Sequence, residues 1–83
     1  MMVRIHPHAL ARMAERGAAE AEVIETVQRG ETFPAKFGRS GFRLNFAYNE
    51  EWRGRTCATK QIEAVAVPQG EGWLVVTVIV KYF

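Results

Sequence analysis

His8, Arg12 and Arg16 recur every four residues in the stretch HPHALARMAERG, residues 6–17. On a helix, positions four apart drift by only about 40° per step, so these three side chains share one edge. Their types suit a phosphodiester. A helix start favours the neutral imidazole, the form in which His8 accepts a proton as a general base. Arg12 and Arg16 bring fixed positive charge and planar forks of donors to the same edge, where a phosphate gathers charge in a transition state. The same residues have a plainer reading. His6 or His8 would cap the orphan amides of a helix with a ring nitrogen, and Glu15 or a glutamate of the next helix would offset the like charges of Arg12 and Arg16.

Two further candidates lie far along the chain. Thr77 and Lys81 interrupt the β-branched run WLVVTVIVKYF. Four positions apart on a strand, they stand about 13 Å from one another on one face, so both can line a groove. A sheet face left partly to solvent is the bland alternative. Arg43, Asn45 and Lys60 would join that face if strand order allowed. The GRSG segment, residues 38–41, reads as a plain turn rather than a nest of amides for an anion. No metal or other cofactor is expected: His6, His8 and Cys57 have no recognised ligand spacing, and the chain contains no aspartate. Cys57, the only cysteine, reads as a small packing residue.

The charge distribution says more than the net charge of +2. Eight of the 11 basic residues are arginine, and they gather in residues 1–16 and 36–60, around an acidic stretch at 18–31. A chain of 83 residues bounds the answer to one domain spanning 1–83, with most apolar side chains committed to one core. No run approaches the roughly 20 apolar residues of a membrane span, and the start lacks the apolar centre of a signal peptide. With a single cysteine, these features lead to an expectation of a cytoplasmic protein with no membrane partner.

Elements that would position these residues follow from periodicity. Val3 and Ile5 suggest a short strand or extended arm. Pro7 suits the first position of a helix that buries Leu10, Met13 and Ala14 and stops at Gly17 as a left-handed cap. A second helix begins near Ala19 and Glu20, turns Val23, Ile24 and Val27 inward, and finishes at Gly30. After turn or loop signals at Pro34 and in FGRSGF, residues 37–42, FRLNFAY alternates with period two, NEEWRGR reads as an exposed connection, and ATKQIEAVAV reads as a strand. PQGEG is a hairpin turn before the last strand, which has Leu74, Val76, Val78, Val80 and Tyr82 on one side. The expected fold is α+β: two N-terminal helices packed on an antiparallel sheet of three to four strands. The chain stops within its final strand, an edge that would accept a partner.

The stretch HPHALARMAERGAAEAEVIETVQRG and the later Val76-Thr77-Val78 together resemble the bacterial domain-of-unknown-function family 4258. The matching residues are His8, Ala9, Arg12, Met13, Arg16 and Gly17. Alanine at positions 18 and 19 and Ile79 after Val78 depart from the usual pattern. That helices-then-sheet order is similar to small ribonuclease toxins of the RelE and barnase kind. The resemblance implies a RelE/barnase-like arrangement and a toxin-like, metal-independent endoribonuclease acting on RNA phosphodiester bonds. His8, Arg12, Arg16, Thr77 and Lys81 would be its site residues, with Lys81 or Tyr82 as the acid. RNA, a cognate antitoxin or a second copy of the chain are the partners so implied. The competing expectation is a non-catalytic module that binds RNA, or that pairs with a protein through its terminal strand.

Overall fold

A computed structural model describes residues 2–83. The chain opens with strand β1 (Val3–Ile5), then helices α1 (Pro7–Arg16) and α2 (Glu20–Arg29). Strand β2 (Glu31–Pro34), a single 3-10 turn (Lys36–Gly38) and strands β3 (Ser40–Trp52), β4 (Arg55–Gln69) and β5 (Gly72–Tyr82) complete it.

Both helices follow from their sequence. Pro7 occupies the first position of α1, and Gly17 closes it in the left-handed region at φ 76°, with Ala18 N–H donating to the carbonyl of Met13. The second helix starts with a carboxylate in place of a hydroxyl: Glu22 reaches back to accept from the Ala19 N–H at 2.9 Å. Glu20 and Glu22 in its first turn and Arg29 in its last complement the helix dipole.

The α+β class is as expected, but the sheet is larger than three to four strands and is not purely antiparallel. Five strands lie in the order β1-β5-β4-β3-β2, with β1 parallel to β5 and the other pairs antiparallel. The added strands are the two edges. Strand β1 is the short strand that Val3 and Ile5 suggest, and β2, which no alternation announces, ends on Pro34, which an edge strand tolerates because it needs no inward N–H there. The helices therefore carry the chain across one face of the sheet, from the β1 edge to the β2 edge. Strands β3 and β4 also run through the segment that reads as an exposed connection, leaving only a two-residue turn at Arg53 and Gly54.

The core lies between the helices and this face. Ala9, Met13, Val23 and Val27 meet Phe42, Ile62, Ala64, Ala66, Val75 and Val78. Ala14 is exposed, and Ala9 takes the inward place assigned to it. Along β5 the alternation breaks once. Val65 faces Thr77 while Ala66 faces Val75, so Val76 is the extra residue of a β-bulge. Val75 and Val78 consequently both point inward, and Val76 does not join the core. Beyond the bulge Val78 and Val80 stay on the helix side, as their spacing predicts.

Candidate functional site

The edge of α1 carries less chemistry than its spacing suggests. His6, not His8, is the cap: its Nδ1 accepts from the His8 backbone N–H at 3.1 Å. The His8 side chain is exposed, and Arg12 leans toward Glu15 at 3.9 Å. Arg16 is committed to the fold. Its Nη1 donates to the Val78 carbonyl at 2.6 Å, while its own carbonyl accepts from the Tyr82 hydroxyl at 2.7 Å. Tyr82 stacks on Trp52 with ring centroids 4.2 Å apart. Burial, followed by the nearby Tyr48 and Glu22, pushes the Tyr82 phenol above its usual range.

Strand alternation separates the five candidates. Val78 and Val80 face the helices, so Thr77, Ile79 and Lys81 open to the opposite face of the sheet. Thr77 and Lys81 do not join His8, Arg12 and Arg16. They join Arg43 and Asn45 instead, whereas Lys60 turns to the helix side. There Lys60, only 7% exposed, donates to the carbonyl of Gly17 and to Glu22 Oε1 at 2.7 Å. That carboxylate oxygen also receives the Ala19 N–H, so one lysine ties the end of α1 and the start of α2 to β4.

On the open face the most confined carboxylate is Glu63, whose side chain is 10% exposed. Register sets Arg43 and Ile79 on either side of it. Arg43 Nε donates to Glu63 Oε2 at 2.7 Å, and its Nη1 reaches Glu31 at 3.5 Å. Lys81 Nζ stands 3.9 Å from the same Oε2. Both contacts to Glu63 fall on Oε2, and its Oε1 accepts no hydrogen bond among the described residues. Beside it lies a groove of about 460 Å³ lined by Phe33, Lys36, Phe37, Arg39, Glu63 and Thr77, among others. The Arg43 guanidinium lies 4.5 Å from the Phe33 ring centroid, and that of Arg39 lies 5.5 Å from Phe37.

Sequence reasoning did not single out Glu63, Phe33, Phe37 or Arg39. A signal existed for Glu63, the only carboxylate between Glu51 and Glu71, within a strand whose neighbours Ile62 and Ala64 are apolar. The aromatic groove walls had none, because β2 and the turn after it were hidden inside an apparent loop. Among the described residues no three His, Cys, Asp or Glu side chains gather as metal ligands, and no helix is long and apolar enough to cross a membrane. Cys57 is buried, as expected of a packing residue.

These features define a small α+β domain with two helices on one face of a mixed sheet and a cation-rimmed groove on the other. The chain belongs to the family described as a domain of unknown function (DUF4258), whose model matches residues 5–80. No curated protein and no solved structure matches it, so the likeness to ribonuclease toxins rests on the order of elements alone.

Proposed function

We propose that the protein binds single-stranded RNA on the open face of its sheet, in the cytoplasm. The observation that supports this most is the groove itself. Lys36 and Arg39 line it with Glu63, Arg43 and Lys81 stand against that carboxylate, and Phe33 and Phe37 offer aromatic surface. Cations that follow a phosphate backbone and rings that accept bases of any identity are the two elements of sequence-tolerant single-strand recognition. Arg43 is held by two carboxylates, which leaves Lys36, Arg39 and Lys81 for phosphates. At about 0.7 counterions released per contact, three contacts give a log–log salt slope of about −2. Titrating a labelled single-stranded RNA at rising salt tests this; absence of binding at low salt, or a slope near zero, refutes it.

A second reading, metal-independent and toxin-like RNA cleavage in the same groove, is favoured by the free oxygen of Glu63. In this reading Glu63 Oε1 takes the proton of a ribose 2′-hydroxyl, and the 2′ oxygen attacks the adjacent phosphorus. The bond from phosphorus to the 5′ oxygen breaks as Lys81 supplies that oxygen with a proton. A 2′,3′-cyclic phosphate and a free 5′-hydroxyl result. Thr77, Lys36 and Arg39 would hold the phosphate. Glu63→Gln keeps an acceptor for Arg43 and removes the base, so cleavage in chelator should fall about a hundredfold or more with binding retained. If His8→Ala abolishes cleavage and Glu63→Gln does not, the reaction belongs to the α1 edge.

A further inference from the structure

Phe37 is costly for the fold and returns little to it. The residue is 86% exposed, and its backbone sits in the left-handed region at φ 62°, ψ 32°. A side chain with a Cβ pays about 1 kcal/mol to stay there, and an exposed ring recovers almost nothing by burial. Strain of this kind persists only where its surroundings over-determine it, and they do here. Ala35 N–H donates to the Arg39 carbonyl at 2.9 Å and Arg39 N–H to that of Lys36 at 3.3 Å, closing the turn beneath the ring. Gly38, the next residue, is also left-handed at φ 69° and has open space around it. The glycine that the conformation calls for at 37 is replaced by the largest ring that phenylalanine can present.

We propose that Phe37 is a stacking platform for one unpaired nucleobase of the bound strand. The inference rests on the RNA-binding reading of the groove and assigns the substrate feature it selects. Arg39 lies against the ring, Lys36 adjoins it in the chain, and the ring projects from the rim of the groove. A ligand that offers a planar aromatic surface with a negative charge a few ångströms away is a nucleotide in a single strand. A duplex keeps its base faces stacked and does not present one. An apolar protein segment would find the ring but leave the two cations unpaired.

The test uses a short single-stranded RNA carrying the fluorescent base 2-aminopurine, read alongside anisotropy of an end label. Stacking on Phe37 quenches the base on binding. Phe37→Gly should abolish the quench and weaken binding roughly ten- to a hundredfold, the worth of one stacked base. Its melting temperature should stay level or rise, because glycine relieves the left-handed strain. Phe37→Trp should restore both quench and affinity, and duplex RNA of the same sequence should compete poorly. Salt-sensitive binding without any quench overturns the platform while leaving the RNA-binding reading intact. No binding by the unaltered protein overturns that reading and the platform with it. A large loss of melting temperature in Phe37→Gly with unchanged affinity makes the ring structural and overturns the proposal.

Discussion

Gly17→Ala places one methyl group where the end of α1 meets Tyr82 and Trp52 of the sheet. The backbone there is left-handed, and an added Cβ would lie 2.7 Å from the Tyr82 hydroxyl oxygen and 3.0 and 3.1 Å from the Trp52 ring. Three costs follow. The left-handed conformation costs alanine about 1 kcal/mol. Displacing Tyr82 forfeits its hydrogen bond to the Arg16 carbonyl, about 1 kcal/mol. Tilting the Trp52–Tyr82 stack loses roughly another 1 kcal/mol. About 3 kcal/mol lowers the melting temperature of a domain this small by roughly 12–24 °C. Gly38→Ala is the control, because Gly38 has the same backbone region but nothing within 4 Å, so only the first cost of about 1 kcal/mol applies. Thermal melts of both variants, repeated in a Tyr82→Phe background, isolate the contact. Without the hydroxyl, Gly17→Ala should cost about 1 kcal/mol less than it does beside Tyr82. Equal losses for Gly17→Ala and Gly38→Ala, or no coupling to Tyr82→Phe, would refute the reasoning.

Lys60→Met should destabilise by about 3 kcal/mol in urea melts, because it strands Glu22 and the Gly17 carbonyl beside the core; adding Glu22→Gln should recover part of that loss. Raising the pH should weaken the fold through Tyr82, whose phenol titrates above its usual value near 10 when folded. The folded state favours the neutral phenol, so this stability is whole below pH 10 and disappears as pH climbs through the folded value. Alkaline melts of Tyr82→Phe should lack that contribution. His6→Ala should cost about 1 kcal/mol as a lost cap, whereas His8→Ala should leave the melting temperature almost unchanged; the reverse ranking in thermal melts would show that the caps are misassigned.

Helices were the most legible part of this chain, since their boundaries are written in local chemistry. Pro7, Gly17 and the glutamates of α2 act within one turn of their own positions. The central strands showed themselves by alternation, but the bulge at Val76 did not, because the extra residue depends on what β4 presents across the ladder. The edges were only half legible: Val3 and Ile5 suggested the strand β1 but not its distant partner Trp73–Val75, and β2, which pairs with the nearby Ser40–Arg43, was masked by the turn residues between them. The candidate site divided along the same line. Spacing correctly placed Thr77 and Lys81 on one face, yet only strand order brought Arg43 and Glu63 beside them and sent Lys60 to the other side. His8 and Arg12 share an edge as their spacing requires. Arg16 looked equally available because no local signal announced the carbonyl of Val78, sixty-two residues away.

Arg16 and Arg55 have a consequence for how the protein keeps company with itself. Strand β1 covers only Trp73–Val75, so the later half of β5 is bare on its outer side. The Thr59–Phe83 pair exchanges both its hydrogen bonds, and alternation then turns the backbone groups of Val78, Val80 and Tyr82 outward. Such a row is a template on which another extended chain can crystallise into fibre. Two of its three carbonyls are already occupied, by Arg16 at Val78 and by Arg55 at Tyr82, 2.9 Å away. A second strand would have to evict two guanidinium groups and then sit beside their charge. The arginines work as gatekeepers of solubility, and any partner that pairs with this strand must first offer them carboxylates.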